Sequence, residues 1–154
     1  MIARTLLFLA LSLPFITHAA PLPGDNMTLS QISPYDFPQT RQRLLDTINA
    51  RHLTLFAELD HAAAARQSEL TMPPTTVLVF GNPKGGTPLM LAHPELALAL
   101  PYRVLIAQQP DGHVRVSYPD SADYARYGLN DAELAQMANM PAVVQAALQA
   151  QNGV

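Results

Sequence analysis

Cysteine is missing from this 154-residue chain, and charged residues make up only 14% of it. The lack of cysteine excludes disulfide frameworks, cysteine-ligated zinc, iron–sulfur clusters and thiol catalysis. Nine basic residues against 12 acidic ones give a formal net charge of −3, which argues against a nucleic-acid-binding protein because such proteins usually carry a basic stripe. Hydrophobic residues form 49% of the chain, so we expect a folded protein of one domain rather than a disordered one.

The N-terminus has the pattern of a secretory signal peptide over residues 1–19. Arg4 supplies the positive start, residues 6–16 form the apolar stretch, and Ala19 ends a small-residue cleavage site before Ala20. The apolar stretch is too short to cross about 30 Å of hydrocarbon, and no later stretch approaches the length of a membrane span. A lipid-anchored protein is excluded because no cysteine follows the cleavage site. We therefore expect a periplasmic or secreted protein with no membrane span in its mature chain.

Hydrophobic spacing in the mature chain predicts alternating strands and helices. In residues 53–59, strict alternation predicts that Leu53, Leu55, Ala57 and Leu59 share one face of a strand. The order predicts an α+β domain, a two-layer fold in which helices cover a mixed or antiparallel sheet. Strands are predicted at residues 27–33, 53–59, 75–80, 102–108 and 113–118, with a hairpin turn at residues 110–112 between the last two. Helices are predicted at 37–51, 62–66, 88–91 with an extension to 99 left open, and 122–127. Asn130 caps the last helix with Glu133 completing a capping box, and Pro141 should kink or restart that helix.

The most informative segment is the glycine-rich stretch of residues 81–87. It follows the predicted central strand, contains three of the seven glycines and holds Lys84, the only lysine of the chain. We expect a loop here, with a helix beginning at Thr87 and Pro88. A strand, a glycine-rich loop and a helix in this order aim backbone N–H groups at an anion. The spacing matches neither a Walker loop nor a dinucleotide fingerprint, and a simple turn with a solvated Lys84 is the alternative. The predicted ligand-binding residues are Asn82, Lys84, Gly85, Gly86 and Thr87.

His61 is the candidate catalytic residue. It follows Asp60 at the start of a predicted helix, where an imidazole held neutral acts as a general base. The alternative is an exposed first-turn residue behind a capping aspartate. His61, Met90 and His93 together would offer nitrogen and sulfur ligands to a soft metal or haem iron, but they have no fixed metal-ligand spacing, and we predict no metal site. The cofactor stays unknown, and whether the protein is an enzyme stays open.

Three separated blocks resemble the bacterial Domain of Unknown Function 302 family. They are residues 56–65, residues 79–90, and residues 100–105 with 116–118. The resemblance implies a compact α+β domain, leaves a homodimer open and assigns no reaction. The resemblance runs over residues 33–129, which we therefore expect to form the α+β domain. Before it we expect the signal peptide at residues 1–19 and a leader with the first strand at residues 20–32, and after it a C-terminal helical tail at residues 130–154. The residues that match the family pattern are His61, Asn82, Gly86, Thr87, Pro88 and Met90.

The leading functional hypothesis is a small exported binding module that holds a small anionic or polar ligand at residues 81–87. In the second, His61 acts as a general base beside the same site. A metal- or haem-linked role is the third. The fourth is an interaction protein whose alanine-rich tail, residues 142–150, docks on a partner or on a second copy.

Overall fold

Five strands and five α-helices make up residues 28–149, the part of the chain that the computed structural model describes. The predicted signal peptide, residues 1–19, lies outside the described residues. No helix within residues 28–149 has the length and apolar character needed to cross a membrane. The elements in chain order are β1 Thr28–Ser33, α1 Phe37–Ala50, β2 Thr54–Asp60, α2 His61–Gln67, β3 Thr75–Gly81, α3 Pro83–Ala92, a 3₁₀ helix Pro94–Leu98, β4 Tyr102–Gln108, β5 Val114–Pro119, a 3₁₀ helix Ser121–Tyr127, α4 Asp131–Met137 and α5 Met140–Leu148.

The strands form one sheet in the order β1-β5-β4-β3-β2, and each neighbouring pair is antiparallel. The α+β prediction is confirmed, with an antiparallel rather than a mixed sheet. One face of the sheet packs against α1 and α5 through alternate side chains of the inner strands. Its fully buried members are Leu78, Phe80, Val104, Ile106 and Val116.

The second face of the sheet also carries apolar side chains. Val77 pairs with Leu59 on one side and with Leu105 on the other, so the three side chains point to this face together. Ile32 and Leu59 on the same face are 47% and 46% exposed. Solvated faces of antiparallel sheets usually alternate to polar residues, so this apolar row is unusual for a surface.

A β-bulge corrects the predicted alternation of β2. Leu55 pairs with Phe80, but the next pair joins Ala57 to Val79, so Phe56 is the extra residue. The inserted residue shifts the side-chain period by one. Leu55 therefore shares the helix-covered face with Phe80, whereas Ala57 and Leu59 lie on the second face. Phe56 is left 52% exposed at the sheet edge.

The C-terminal helices belong to the main body of the protein. α5 contributes five buried residues to the core cluster, and the Arg43 side chain of α1 donates a hydrogen bond to the Ala147 carbonyl at 2.8 Å. The predicted capping box of Asn130 and Glu133 is confirmed, as is the helix restart at Pro141. Asn130 is the N-cap at which α4 begins, and the described part of the predicted C-terminal helical tail packs against the rest of the domain. The five buried residues that α5 contributes to the core are Met140, Val143, Val144, Ala147 and Leu148.

Candidate functional site

The glycine-rich segment after β3 is helical, which corrects the predicted loop. Asn82 is the N-cap, and its side-chain Oδ1 accepts a hydrogen bond from the Lys84 backbone N–H at 3.1 Å. Pro83 occupies the first helical position. The pair Asn82-Pro83 is the same start signal as Thr87-Pro88, and it comes five residues earlier in the chain. The helix then continues through both glycines and through Pro88.

This helix start leaves few N–H groups for an anion. The Lys84 N–H is bonded to the Asn82 side chain, and the Gly85 and Gly86 N–H groups donate to the Asn82 carbonyl at 3.1 and 2.9 Å. Pro83 has no N–H. The Lys84 side chain is exposed. The first turn of α3 therefore satisfies its own donors and does not form the open cradle that the loop prediction required.

A cavity of about 330 Å³ lies beside this turn. It falls within the range of roughly 300–1,000 Å³ that small-molecule sites occupy. Its floor is buried and apolar, and its mouth is formed by exposed residues. The buried floor residues are Phe80, Leu89, Met137, Met140 and Val143, and the exposed residues at the mouth are Phe56, Asn82, Pro83, Gly85, Gln136 and Asn139.

The cavity is a seam between two hydrophobic clusters. The main cluster lies between the sheet and α1 with α5, and it supplies Phe80, Met140 and Val143. A second cluster, built by α3, α4 and the two 3₁₀ helices, supplies Leu89 and Met137. The seam opens toward solvent at the N-terminal turn of α3.

Tyr102 joins the two clusters at the back of the cavity. Its ring centroid lies 6.3 Å from that of Phe80 and 6.2 Å from that of Tyr124. Its hydroxyl donates a hydrogen bond to the Met137 carbonyl at 3.2 Å. Burial raises the pKa of Tyr102 to about 12, and burial also raises the pKa of Tyr124. Both phenols are therefore neutral at ordinary pH and act here as rigid apolar surfaces.

Two glycines of α3 line the cavity beside its mouth. A Cβ atom on Gly85 would meet no other atom within 4 Å, and one on Gly86 would lie 3.7 Å from the Leu100 Cδ1 atom. Glycine inside a helix costs about 1 kcal/mol relative to alanine. Gly85 has no positive φ, and a Cβ atom there would extend into open space at the mouth of the cavity.

The structure brings together three of the five predicted ligand-binding residues. Asn82, Gly85 and Gly86 line the cavity, whereas Lys84 and Thr87 are exposed and lie outside the lining. The other side of the site could not be predicted from the sequence, because its residues come from distant segments that only the fold brings together. The missed residues are Phe56, Tyr102, Gln136, Met137, Asn139 and Met140.

His61 lies at the opposite end of the sheet from this cavity. It begins α2 behind the N-cap Asp60, whose carboxylate accepts from the Ala63 N–H at 2.8 Å. Asp60 pairs with Thr76, at the start of β3, whereas Lys84 follows the end of β3 at Gly81. Five residues of strand, roughly 17 Å, separate those two ends. His61 is exposed there, at the end of β3 that lies away from the predicted ligand-binding residues.

His93 pairs with a carboxylate. Its Nε2 lies 3.2 Å from Glu133 Oε2, and the same carboxylate oxygen accepts from the Asn130 N–H at 2.9 Å. These two contacts, the backbone one being the larger, lower the pKa of Glu133. Within residues 28–149, no group of three histidine or acidic side chains is placed to hold a metal ion.

Comparison with known proteins identifies the family. The sequence pattern described as "Domain of unknown function DUF302" matches residues 29–150. The chain belongs to the DUF302 family. The uncharacterized conserved DUF302 protein of Bacillus stearothermophilus, known from a crystal structure, has the same fold, with a TM-score of 0.66 over 79% of this chain and 94% of that one at 14% sequence identity. The DUF302 match includes α4 and α5, in agreement with their place in the core.

Part of this DUF302 chain is also similar to proteins named as ion channels. It is 32% identical over 90 residues to "Fluoride-specific ion channel FluC 1" of Brucella suis biovar 1 (strain 1330), covering 58% of this chain and 35% of that protein. The match to "Fluoride-specific ion channel FluC 2" of Brucella melitensis biotype 1 has the same identity and covers 33% of that protein. The chain spans about a third of the length of these relatives.

Proposed function

We propose that the protein is a small-molecule-binding domain and that its site is the cavity between β3, α3 and the α4–α5 helices. The single observation that carries this proposal is an apolar cavity of about 330 Å³ that opens at a helix turn kept free of side chains by Gly85. Apolar cavities with a few polar groups at one end are the usual form of a small-molecule site. This proposal keeps the segment of residues 81–87 that the sequence indicated. It places the ligand in the cavity beside that segment rather than on the backbone N–H groups of a loop.

Mass spectrometry of the native protein tests this proposal. The protein is purified without detergent or organic solvent, and the expected result is an added small-molecule mass on the folded chain. Gly85→Leu, which places a side chain at the mouth, should remove that mass. Lys84→Ala, one residue away and outside the cavity, is the matched control and should retain it. A wild-type protein that carries no added mass, or a mass unaffected by Gly85→Leu, would contradict the proposal.

A second candidate function is self-association through the second face of the sheet. It is favoured by the exposed Ile32 and Leu59 on the two edge strands and by the partly exposed Leu105 on the central strand β4. Sedimentation velocity of the wild-type protein should then give a dimer, and Leu105→Glu should give a monomer. Asn49→Glu, at the exposed end of α1, serves as the control and should leave the dimer intact. A monomeric wild-type chain would end this candidate.

We also propose that the protein acts in the periplasm or is secreted. The pattern of residues 1–19 supports export, and it implies a mature chain that begins at Ala20. The intact mass of the protein recovered from its cells tests this directly. A mass that still includes residues 1–19 would contradict export by cleavage.

A further inference from the structure

We propose that the ligand of this cavity is an uncharged, mainly apolar molecule with one neutral hydrogen-bonding end, which the side-chain amides of Asn82, Gln136 and Asn139 bind at the mouth. This inference rests on the proposed function and goes beyond it by naming the chemical class of the ligand. It also replaces the anionic ligand that the sequence alone suggested.

The lack of charged side chains among the described lining residues favours an uncharged ligand. None of the described residues that line the cavity is charged, and Lys84 lies outside the lining. A charged group that enters an apolar cavity loses its hydration and needs a countercharge in return. The N-terminal turn of α3 gives no substitute, because its N–H groups already donate to Asn82. A carboxylate or sulfonate would therefore be bound less tightly than a neutral molecule of the same shape.

The floor of the cavity suits a flat or flexible apolar body. Met90, Met137 and Met140 line it together with the rings of Phe80 and Tyr102. Methionine side chains adapt to irregular shapes, and their sulfur atoms make favourable contacts with aromatic rings. The Tyr102 hydroxyl donates to the Met137 carbonyl, so the phenol presents its ring rather than a free donor to the cavity.

The amides at the mouth supply the polar end. The Asn82 Oδ1 atom accepts from Lys84 N–H, which leaves its NH₂ group for a ligand acceptor. The Asn139 NH₂ group donates to the Gln136 carbonyl at 3.1 Å, which leaves its Oδ1 for a ligand donor. The Gln136 side chain has no hydrogen-bond partner within residues 28–149 and lies exposed at the mouth. Neutral donors and acceptors in one place match a hydroxyl, an aromatic amine or an amide.

Two fluorescent probes with one skeleton test the ligand class. N-phenyl-1-naphthylamine is neutral, and 1-anilinonaphthalene-8-sulfonate carries the same rings with an added sulfonate. On the wild-type protein, the neutral probe should bind at least about tenfold more tightly. Gly85→Leu and, on the opposite wall, Gln136→Trp should abolish its binding, while Lys84→Ala should leave it unchanged. Gln136→Leu, which removes one hydrogen bond without closing the mouth, should weaken it by about 2- to 10-fold.

The outcomes separate this inference from the proposed function. Tighter binding of the sulfonate, weakened by Lys84→Ala and lost in Gly85→Leu, would overturn the neutral class and leave the cavity as a binding site. If neither probe binds, or if both bind regardless of Gly85→Leu and Gln136→Trp, the inference and the cavity as the site are contradicted together. Circular dichroism on each variant establishes that a lost signal comes from a folded protein.

Discussion

The Tyr102 hydroxyl donates to the Met137 carbonyl at 3.2 Å and so joins the central strand of the sheet to α4 across the back of the cavity. Met137 is 3% exposed, so this hydrogen bond forms away from bulk water. It adds a polar contact to the packing of the two clusters, to both of which Tyr102 belongs. The Tyr102 phenol therefore helps to hold α4 against the sheet at the cavity.

Replacing that phenol tests the link. Tyr102→Phe should lower the free energy of unfolding by about 0.5–1.5 kcal/mol, because it removes one partly buried hydrogen bond and leaves the Met137 carbonyl without its partner. Urea unfolding followed by circular dichroism measures the change. Tyr127→Phe is the control, since the Tyr127 hydroxyl has no hydrogen-bond partner among the described residues. Equal effects of the two substitutions would show that the Tyr102 hydroxyl does not hold the seam.

Two glycines should respond to alanine with opposite signs. Gly85 lies inside α3 with no atom within 4 Å of an added Cβ, so Gly85→Ala should stabilise the protein by about 0.5–1 kcal/mol. Gly128 has φ +84°, a backbone conformation that disfavours residues with a side chain, so Gly128→Ala should destabilise the protein by about 1–2 kcal/mol, although the added Cβ would make only an ordinary contact with His93 Nδ1 at 3.5 Å. Thermal and urea unfolding of both variants measure the signs. A destabilising Gly85→Ala would mean that the glycine has a role in folding rather than in keeping the mouth open.

The place of α5 in the core gives a third prediction. Val144 is fully buried among residues of the main cluster, so Val144→Ala should cost about 2 kcal/mol from lost burial and the cavity it leaves. Gln145→Ala, on the exposed side of the same helix, should change stability by less than about 0.5 kcal/mol. A small effect of both in urea unfolding would support a separate C-terminal tail after all.

Local patterns in the sequence predicted much of the fold. The capping box of Asn130 and Glu133 and the hairpin around Gly112 are short-range signals, and the structure confirms both. Two predictions were wrong, the start of α3 and the alternation of β2. The first required a choice between two equivalent helix-start signals, and the second depends on long-range strand pairing. Asn82 and Thr87 each precede a proline, and only packing selects the earlier start. The bulge at Phe56 depends on the register with β3, which no feature of β2 alone specifies.

The candidate site was predictable only on one side. The segment of residues 81–87 stood out because it contains three of the seven glycines and the only lysine of the chain. The opposite wall, with Gln136 and Met140, comes from a segment about fifty residues away in the chain, whose spacing is that of an ordinary amphipathic helix. The lysine that suggested an anion proved to be exposed. A charged residue marks a solvent-exposed position more often than a ligand-binding position, because a buried charge needs a partner.

Glu133 should make the free energy of unfolding depend on pH. Its carboxylate accepts from the Asn130 N–H and lies beside His93, and these contacts lower the pKa of Glu133 below its ordinary value. A carboxyl group with a lowered pKa in the folded state adds stability above the pKa of the unfolded chain, and that stability is lost as the pH falls through the folded value. Glu133→Gln keeps the shape of the capping box and removes only the charge.

The variant should therefore be less stable than the wild type at neutral pH, and the difference should shrink at acidic pH, as the Glu133 carboxylate of the wild type takes up a proton. Urea unfolding at the two pH values measures the difference between the proteins at each. Asp131→Asn is the matched control, because Asp131 lies in the same first turn of α4 without a part in the capping box. Because α4 forms one wall of the cavity, loss of the Glu133 contacts at acidic pH should also weaken the binding of N-phenyl-1-naphthylamine. This loss of affinity should be larger in the wild type than in Glu133→Gln. A stability difference that stays constant from neutral to acid pH would show that the carboxylate charge does not anchor α4.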